Sequence, residues 1–230
     1  MDIDILHLIE GAKQAQGLTV IIDVFRAFTT ACYAVRNGAV GVIPVGDVGL
    51  AYQLKKENPD YILMGERKGK MLTGFDYGNS PTEIETVEFS GKTVIQTTSA
   101  GTQGFANARR ADELISGSFV NAEAIVAYIQ KRAPQKVSLV CMGTWAVKPS
   151  DEDSLCAKYI ADRLNHQKVD RKKIYSRLKE SETARVFFDP EVKWAPQKDF
   201  ELCLDIGLCD FILKAEKSHN DLLFLRPEYG

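Results

Sequence analysis

The chain has no run of about eighteen apolar residues, so nothing in it reads as a membrane-spanning helix. Its first stretch, residues 1 to 17, carries acids where a secretion signal carries a basic region, and the expectation is a cytoplasmic protein. No CxxC pair occurs. The five cysteines (Cys32, Cys141, Cys156, Cys203 and Cys209) are odd in number, widely spaced and set mostly in apolar runs, the pattern of reduced buried thiols rather than of a disulfide frame. Only three histidines are present, His7, His166 and His219, and their scatter argues against a zinc centre. A surplus of one charge is missing too. The 29 Lys and Arg against 31 Asp and Glu leave a net charge of −2, and no global field draws nucleic acid or an anionic membrane to the protein. Any anionic ligand must be held by a local site.

What is present is alternation. LTVIIDV (18–24) is a continuous apolar run rich in branched residues, the mark of a strand covered on both faces, and FTTACYAVRNG (28–38) follows with helical spacing and a terminal glycine. Strands at 40–45, 61–65, 93–96, 113–116 and 137–142 alternate with helices beginning near 51, 102, 121 and 150. Such a series predicts an α/β fold with a mostly parallel, two-sided sheet. The length suits one domain over 1–230, with a motif-bearing core at 18–165. The remainder, 166–230, reads as a charged helix and loop, a further helix at 195–207, and two short strands, FILKAE and LLFLR, expected at a sheet edge.

Between two well-patterned elements lies GERKGKMLTGFDYGNSP (65–81), long, polar and without an apolar period. Compact domains seldom keep such a loop unless it is mobile, disordered or functional. Open α/β sheets bind ligands beyond the carboxyl ends of their strands. That rule collects Asp23 and Arg26, Gly65 to Pro81, Thr97 to Thr102, Gly117 to Asn121 and Gly143 to Asp153 on one rim.

The TTSAGT turn runs from strand into helix. Its backbone N–H groups and the hydroxyls of Thr98, Ser99 and Thr102 suit an anion, and they equally suit helix capping. It is not a Walker loop, since GxxxxGK[ST] is absent. Arg26 and Arg67 add guanidinium forks that fit phosphate or sulfonate oxygens, or ordinary surface ion pairs. Asp23, Glu66, Asp76, Glu152 and Asp153 are hard oxygen donors of the kind Mg²⁺ takes, one or two at a time beside several waters. Singly, Asp76 also fits an Asx-turn, and Asp151, Glu152 and Asp153 a helix N-terminus. Cys141 and Cys156 lack the CxxxxxR signature of a thiol phosphatase and read as packing.

Taken in order, DVFRAFTTACYAVRNGA, GERKGKMLTGFDYGNSP, GKTVIQTTSAGT, ISGSFVNAEAIV and VCMGTWAVKPSDEDSLCA resemble the signature blocks of the 2-phosphosulfolactate phosphatases, covering residues 18 to 165. The resemblance implies a three-layer α/β/α fold and a Mg²⁺-dependent hydrolase. Its substrate would be a small phosphorylated organic acid, 2-phosphosulfolactate, cleaved to 3-sulfolactate and phosphate, a step of coenzyme M synthesis in methanogens. By position, Asp23 and Arg26 match D-V-x-R-A, Glu66 and Arg67 match G-E-R, and Asp76 and Asn79 match G-F-D-x-G-N-S-P. Thr98, Gly101 and Thr102 match within the TTSAGT block, Ser118 and Asn121 match G-S-x-x-N, and Glu152, Asp153 and Cys156 match E-D-x-x-C-A. The expected site therefore has Asp23, Glu66, Asp76, Glu152 and Asp153 as metal candidates and Arg26, Arg67 and the 98–102 turn on the phosphate. Lys68 and Lys70 are expected near sulfonate or carboxylate, with Asn79, Ser118 and Asn121 completing the substrate contacts.

Three positions depart from the family pattern: Lys68-Gly69-Lys70 where Gly-Gly is usual, Ser99 where Asn is common, and APQKDFELC (195–203) in place of a basic Gly-Arg-Asn-like stretch. They bear on the substrate more than on the reaction, and leave open a different phosphorylated hydroxy acid or a non-catalytic anion-binding relative. A homodimer is also left open.

Overall fold

A computed structural model describes residues 1–217 and 222–230; His219 lies outside them. The order of elements is β1 (Asp2–His7), α1 (Leu8–Gln14), β2 (Gly17–Ile22), α2 (Ala27–Arg36), β3 (Gly41–Pro44), α3 (Val48–Glu57), β4 (Ile62–Arg67), β5 (Lys70–Met71), α4 (Pro81–Ile84) and β6 (Thr93–Thr97). It continues with α5 (Gly101–Asn107), β7 (Ala111–Gly117), α6 (Ala122–Arg132), β8 (Lys136–Cys141), α7 (Asp151–Leu164), α8 (Arg171–Lys179), α9 (Arg185–Phe188), α10 (Gln197–Cys203), β9 (Phe211–Lys217) and β10 (Leu223–Tyr229). The fold is α/β, with one mixed ten-stranded sheet in the order β1-β8-β2-β7-β9-β10-β3-β6-β4-β5. No described helix is long and apolar enough to cross a membrane.

Two parallel blocks make up most of the sheet. In β1-β8-β2-β7 every neighbouring pair is parallel, and so it is in β3-β6-β4. Strand β2 shows why its sequence is apolar but for the buried Thr19. Val20 and Ile22 join the core formed with Ile125, Val137, Leu139 and α7, while Ile21, between them, joins the opposite core with Phe28 and Phe105. A strand buried on both faces has no side to leave polar. Helix α2 is likewise buried along Ala27 to Val35, and its hydroxyls turn inward: Thr29 donates to Val24 O at 2.9 Å and Thr30 to Arg26 O at 2.8 Å.

The two C-terminal strands correct the expectation of an edge. The β9–β10 hairpin stands in the middle of the sheet order, antiparallel between β7 and β3. Its charged composition has a physical cause. The strands pair with each other at seven positions, but β9 meets β7 at only two and β10 meets β3 at only one. Most of the hairpin is therefore free of other strands, and it carries the charges and the proline, Pro227, that usually mark an edge.

The two blocks touch beyond the carboxyl ends of their strands. Gln96 on β6 donates to Ala27 O at the start of α2 at 2.8 Å. At the start of α5, a Cβ on Gly101 would lie 2.9 Å from Asp23 Oδ2 and 3.0 Å from Ala27 and Phe28. Glycine at 101 lets the second block's turn touch the first block's acid. The segment 65–81 is only partly a loop: it starts as the end of β4, pairs back through β5, and enters α4 at Pro81.

Candidate active site

Strand β2 ends at Ile22, and the next residues turn over the rim. Asp23 N donates to Gly117 O at 3.1 Å, and Asp23 Oδ1 accepts from Ala27 N at 3.2 Å, so the carboxylate is fixed at the entry to α2. It is almost fully buried, and its carboxyl is pushed up to about 7, first by loss of solvation and then by the charges of Glu66 and Glu152.

Glu66 arrives from the end of β4. Its carboxylate accepts from Ser99 N at 2.7 Å, Gly69 N at 2.7 Å and Ser99 Oγ at 3.0 Å, tying the polar segment to the turn after β6. Asp153 performs the same task on the other side. It accepts from Val24 N at 2.9 Å and Gly143 N at 2.7 Å, joining the turn after β2 to the loop after β8. Its carboxyl is raised well above the usual carboxylate range by burial, then by Glu152 and Asp23. Glu152, also raised by burial, accepts from Thr183 Oγ1 at 2.6 Å.

All four carboxylates line one cleft of about 420 Å³ together with Arg26, Asn79 and Ser99. Asn79 is buried, and its Oδ1 has no hydrogen-bond partner among the described residues, leaving an acceptor for a ligand. Arg26 is 4% exposed and paired with Asp199, which is 0% exposed, at 2.7 Å. The same Nη1 donates to Trp194 O at 2.7 Å, and the guanidinium carbon lies 5.4 Å from the Trp194 ring centroid. Asp199 further accepts from Ser80 Oγ at 2.7 Å and Thr82 N at 3.0 Å. It thereby fixes the arginine to the start of α4.

Other expected residues do not reach the cleft. Arg67 is the strand neighbour of Glu66, and successive side chains of a strand point to opposite sides. Its guanidinium goes to Glu66 O at 2.7 Å, Thr97 Oγ1 at 2.7 Å and Gly46 O at 3.1 Å, bracing strand ends instead of meeting a ligand. Asp76 accepts from Leu63 N at 2.8 Å and sits 3.4 Å from Lys55, away from the other acids. Lys68 and Lys70 are exposed and outside the cleft lining. Thr98 and Thr102 bond each other: Thr98 N donates to Thr102 Oγ1 at 3.1 Å and Thr102 Oγ1 to Thr98 O at 3.0 Å. These bonds close the turn on itself, while Ser99 lines the cleft and Gly101 backs Asp23. Ser118 N donates to Asn121 Oδ1 at 3.0 Å, and Asn121 donates to Ser116 O at 3.2 Å, a cap at the approach to α6. All five cysteines are buried and unpaired, and burial pushes the Cys141 and Cys156 thiols up, as packing residues require.

The C-terminal part supplies residues that sequence reasoning did not place: Thr183, Trp194 and Asp199. Its aromatics pack beside the site, with Phe25 5.0 Å from Phe187 and 5.8 Å from Phe200 between ring centroids. No strand alternation marks this region, so its distance in sequence hid its closeness in space. Trp145 and Lys148 lie within the singled-out span 143–153, where the run of special turn geometry gives no pattern to read.

Among the described residues, no three His, Cys, Asp or Glu side chains converge into a ready-made metal shell. The donor set still fits Mg²⁺, which binds through one or two carboxylates and keeps its waters. Two of the four acids, Glu66 and Asp153, already accept backbone N–H groups with both oxygens, whereas Asp23 and Glu152 are less committed.

A family model of 2-phosphosulpholactate phosphatase matches residues 3–218. The chain belongs to this family. It is 41% identical over 147 residues to a protein of Caldicellulosiruptor saccharolyticus, covering 62% of this chain and 60% of that one. It is 42% identical over 145 residues to one of Thermotoga maritima, covering 63% and 61%. Over 202 residues it is 32% identical to one of Bacillus subtilis, covering 87% of each. Each is named "Probable 2-phosphosulfolactate phosphatase". The matches to the first two thus span about three fifths of those relatives' lengths, while the Bacillus match, over 87% of this chain, is long enough to reach into the C-terminal part.

Proposed function

We propose that the protein is a Mg²⁺-dependent phosphoric monoester hydrolase that converts 2-phosphosulfolactate into 3-sulfolactate and phosphate. One observation carries the reading: Asp23, Glu66, Glu152, Asp153 and Arg26, from distant parts of the chain, line one cleft at the carboxyl ends of both parallel blocks. Phosphoryl transfer needs positioned charge far more than covalent chemistry, and this set supplies it.

Asp23 and Glu152 would hold the ion, with Glu66 and Asp153 adding negative charge while keeping the surrounding loops in place. When bound, the ion supplies positive charge against the phosphoryl oxygens and makes water a better nucleophile at neutral pH. Arg26 is held through Nη1 by Asp199 and the Trp194 carbonyl, leaving its other N–H groups for a phosphoryl oxygen. Asn79 offers its unpaired oxygen to water or to a substrate donor. Phe25, Phe187 and Trp194 exclude bulk water from one wall and strengthen each of these interactions. Cytoplasmic location and a place in sulfolactate or coenzyme M metabolism belong to the same reading, as the resemblance implies.

The test is phosphate release from 2-phosphosulfolactate by the purified chain with Mg²⁺ and with a chelator. Release that depends on the cation is expected. Equal release under both conditions would remove the metal from the account, and none under either would remove the substrate.

A further inference from the structure

The cleft has a surplus of acid. Asp23, Glu66, Glu152, Asp153 and Glu182 line it, against two cations, Arg26 and Lys148. The other basic residues expected there, Arg67, Lys68 and Lys70, are turned elsewhere. A substrate carrying phosphate, carboxylate and sulfonate must therefore be met largely by a bound metal, by Arg26 and by Lys148.

Lys148 is well placed for a share of that charge. Gly143 N is fixed by Asp153 Oδ2 at 2.7 Å, and the loop closes on itself through Thr144 N to Lys148 O at 2.8 Å. Trp145 and Ala146 both adopt left-handed backbone, with φ of +55° and +60°, which brings the chain back so that Lys148 lines the cleft. Its ammonium meets Glu182 at 2.7 Å, and the two side chains are 65% and 72% exposed. Exposed pairs of this kind contribute little and exchange readily. Apolar Trp145, Val147 and Val186 line the same cleft. Phosphate and carboxylate can use the metal and Arg26, whereas a sulfonate is a poor ligand for a hard cation and is left to the other cation of the cleft, the Lys148 ammonium.

We propose that Lys148 reads the sulfonate of the substrate, and that Glu182 pairs with Lys148 before substrate binds and is displaced by that anion. The inference rests on the phosphatase reading above and deepens it.

The experiment compares 2-phosphosulfolactate with 2-phospholactate, which keeps the phosphate and carboxylate and lacks the sulfonate, in wild type, K148M and E182Q with Mg²⁺. K148M is expected to lower the preference for the sulfonated ester, as a ratio of kcat/KM values, by roughly ten- to hundred-fold, the range of one charge-assisted contact, with the change in KM. E182Q, which frees the ammonium, is expected to lower KM for the sulfonated ester. Equal losses on both esters in K148M, or a raised KM in E182Q, would overturn the proposal. If wild type releases phosphate from neither ester, the phosphatase reading itself fails and takes this inference with it. Both positions are exposed, so melting temperatures near that of wild type serve as the folding control.

Discussion

At the scale of single residues, the buried acids set the pH behaviour. Asp23 has its carboxyl raised from 3.8 to about 7, chiefly by burial, so the native chain without metal holds a proton that the unfolded chain has already lost. The stability linked to that proton is complete below the ordinary carboxylate range and is lost as pH rises through about 7. The metal-free protein should melt roughly 5–10 °C lower near pH 8 than near pH 5, and a thermal melt series checks this. Mg²⁺ should restore more of the loss at the higher pH, where it no longer competes with the proton. D23N should make the profile shallower, leaving the part that Glu152 and Asp153 set, while reducing kcat by about a thousandfold or more; a variant with wild-type turnover would take Asp23 out of the mechanism. Asp199 acts through Arg26. D199N leaves the guanidinium without its buried counter-charge, so both stability and kcat/KM should fall, by about 3–5 kcal/mol and at least about tenfold. Addition of guanidinium to R26A should restore some turnover, and the double variant R26A/D199N should respond far less if the carboxylate orients the cation.

Single elements explain what could and could not be read in the sequence. The strands that build the rim were legible where burial on both faces favours an apolar run, as in most of β2 and at Val94 and Ile95 of β6. Asp23, Glu66, Ser99, Glu152 and Asp153 were legible as rim residues because each follows or ends such a strand, or opens the helix after one. Arg67 was not separable from Glu66 by that logic, since only the alternation along β4 turns one toward the cleft and the other away. Thr98 and Thr102 could cap or bind equally well until their mutual hydrogen bonds were seen. The hairpin β9–β10 reads as an edge because most of its length has no outer neighbour, although its order in the sheet is central. Gly69 gives an element-scale test. With φ of +83°, and a Cβ that would lie 2.4 Å from the Trp194 ring, it has no room for a side chain. G69A should lose about 1–3 kcal/mol in denaturant unfolding and pull the Trp194 carbonyl away from Arg26 Nη1, raising KM. An unaffected KM with lowered stability would separate this loop from substrate binding.

On the scale of the whole molecule, the site exists because two parallel blocks converge. Asp23, Glu152 and Asp153 come from the first block, Glu66 and Ser99 from the second, and Gly101 lets them touch. The C-terminal part, least legible in sequence because its helices are short and charged, closes the site with Thr183, Trp194 and Asp199. Convergence of this kind would give the proposed cation site, held by Asp23 and Glu152, the added negative charge of Glu66 from the second block, and that can be measured without turnover. Mn²⁺, a spectroscopic substitute for Mg²⁺, should bind once per chain, as seen by loss of the free-ion electron paramagnetic resonance signal. The account predicts that D23A and E66A, one from each block, both weaken this binding by about tenfold or more while leaving the fold intact. Tight Mn²⁺ binding that neither substitution changes would contradict it.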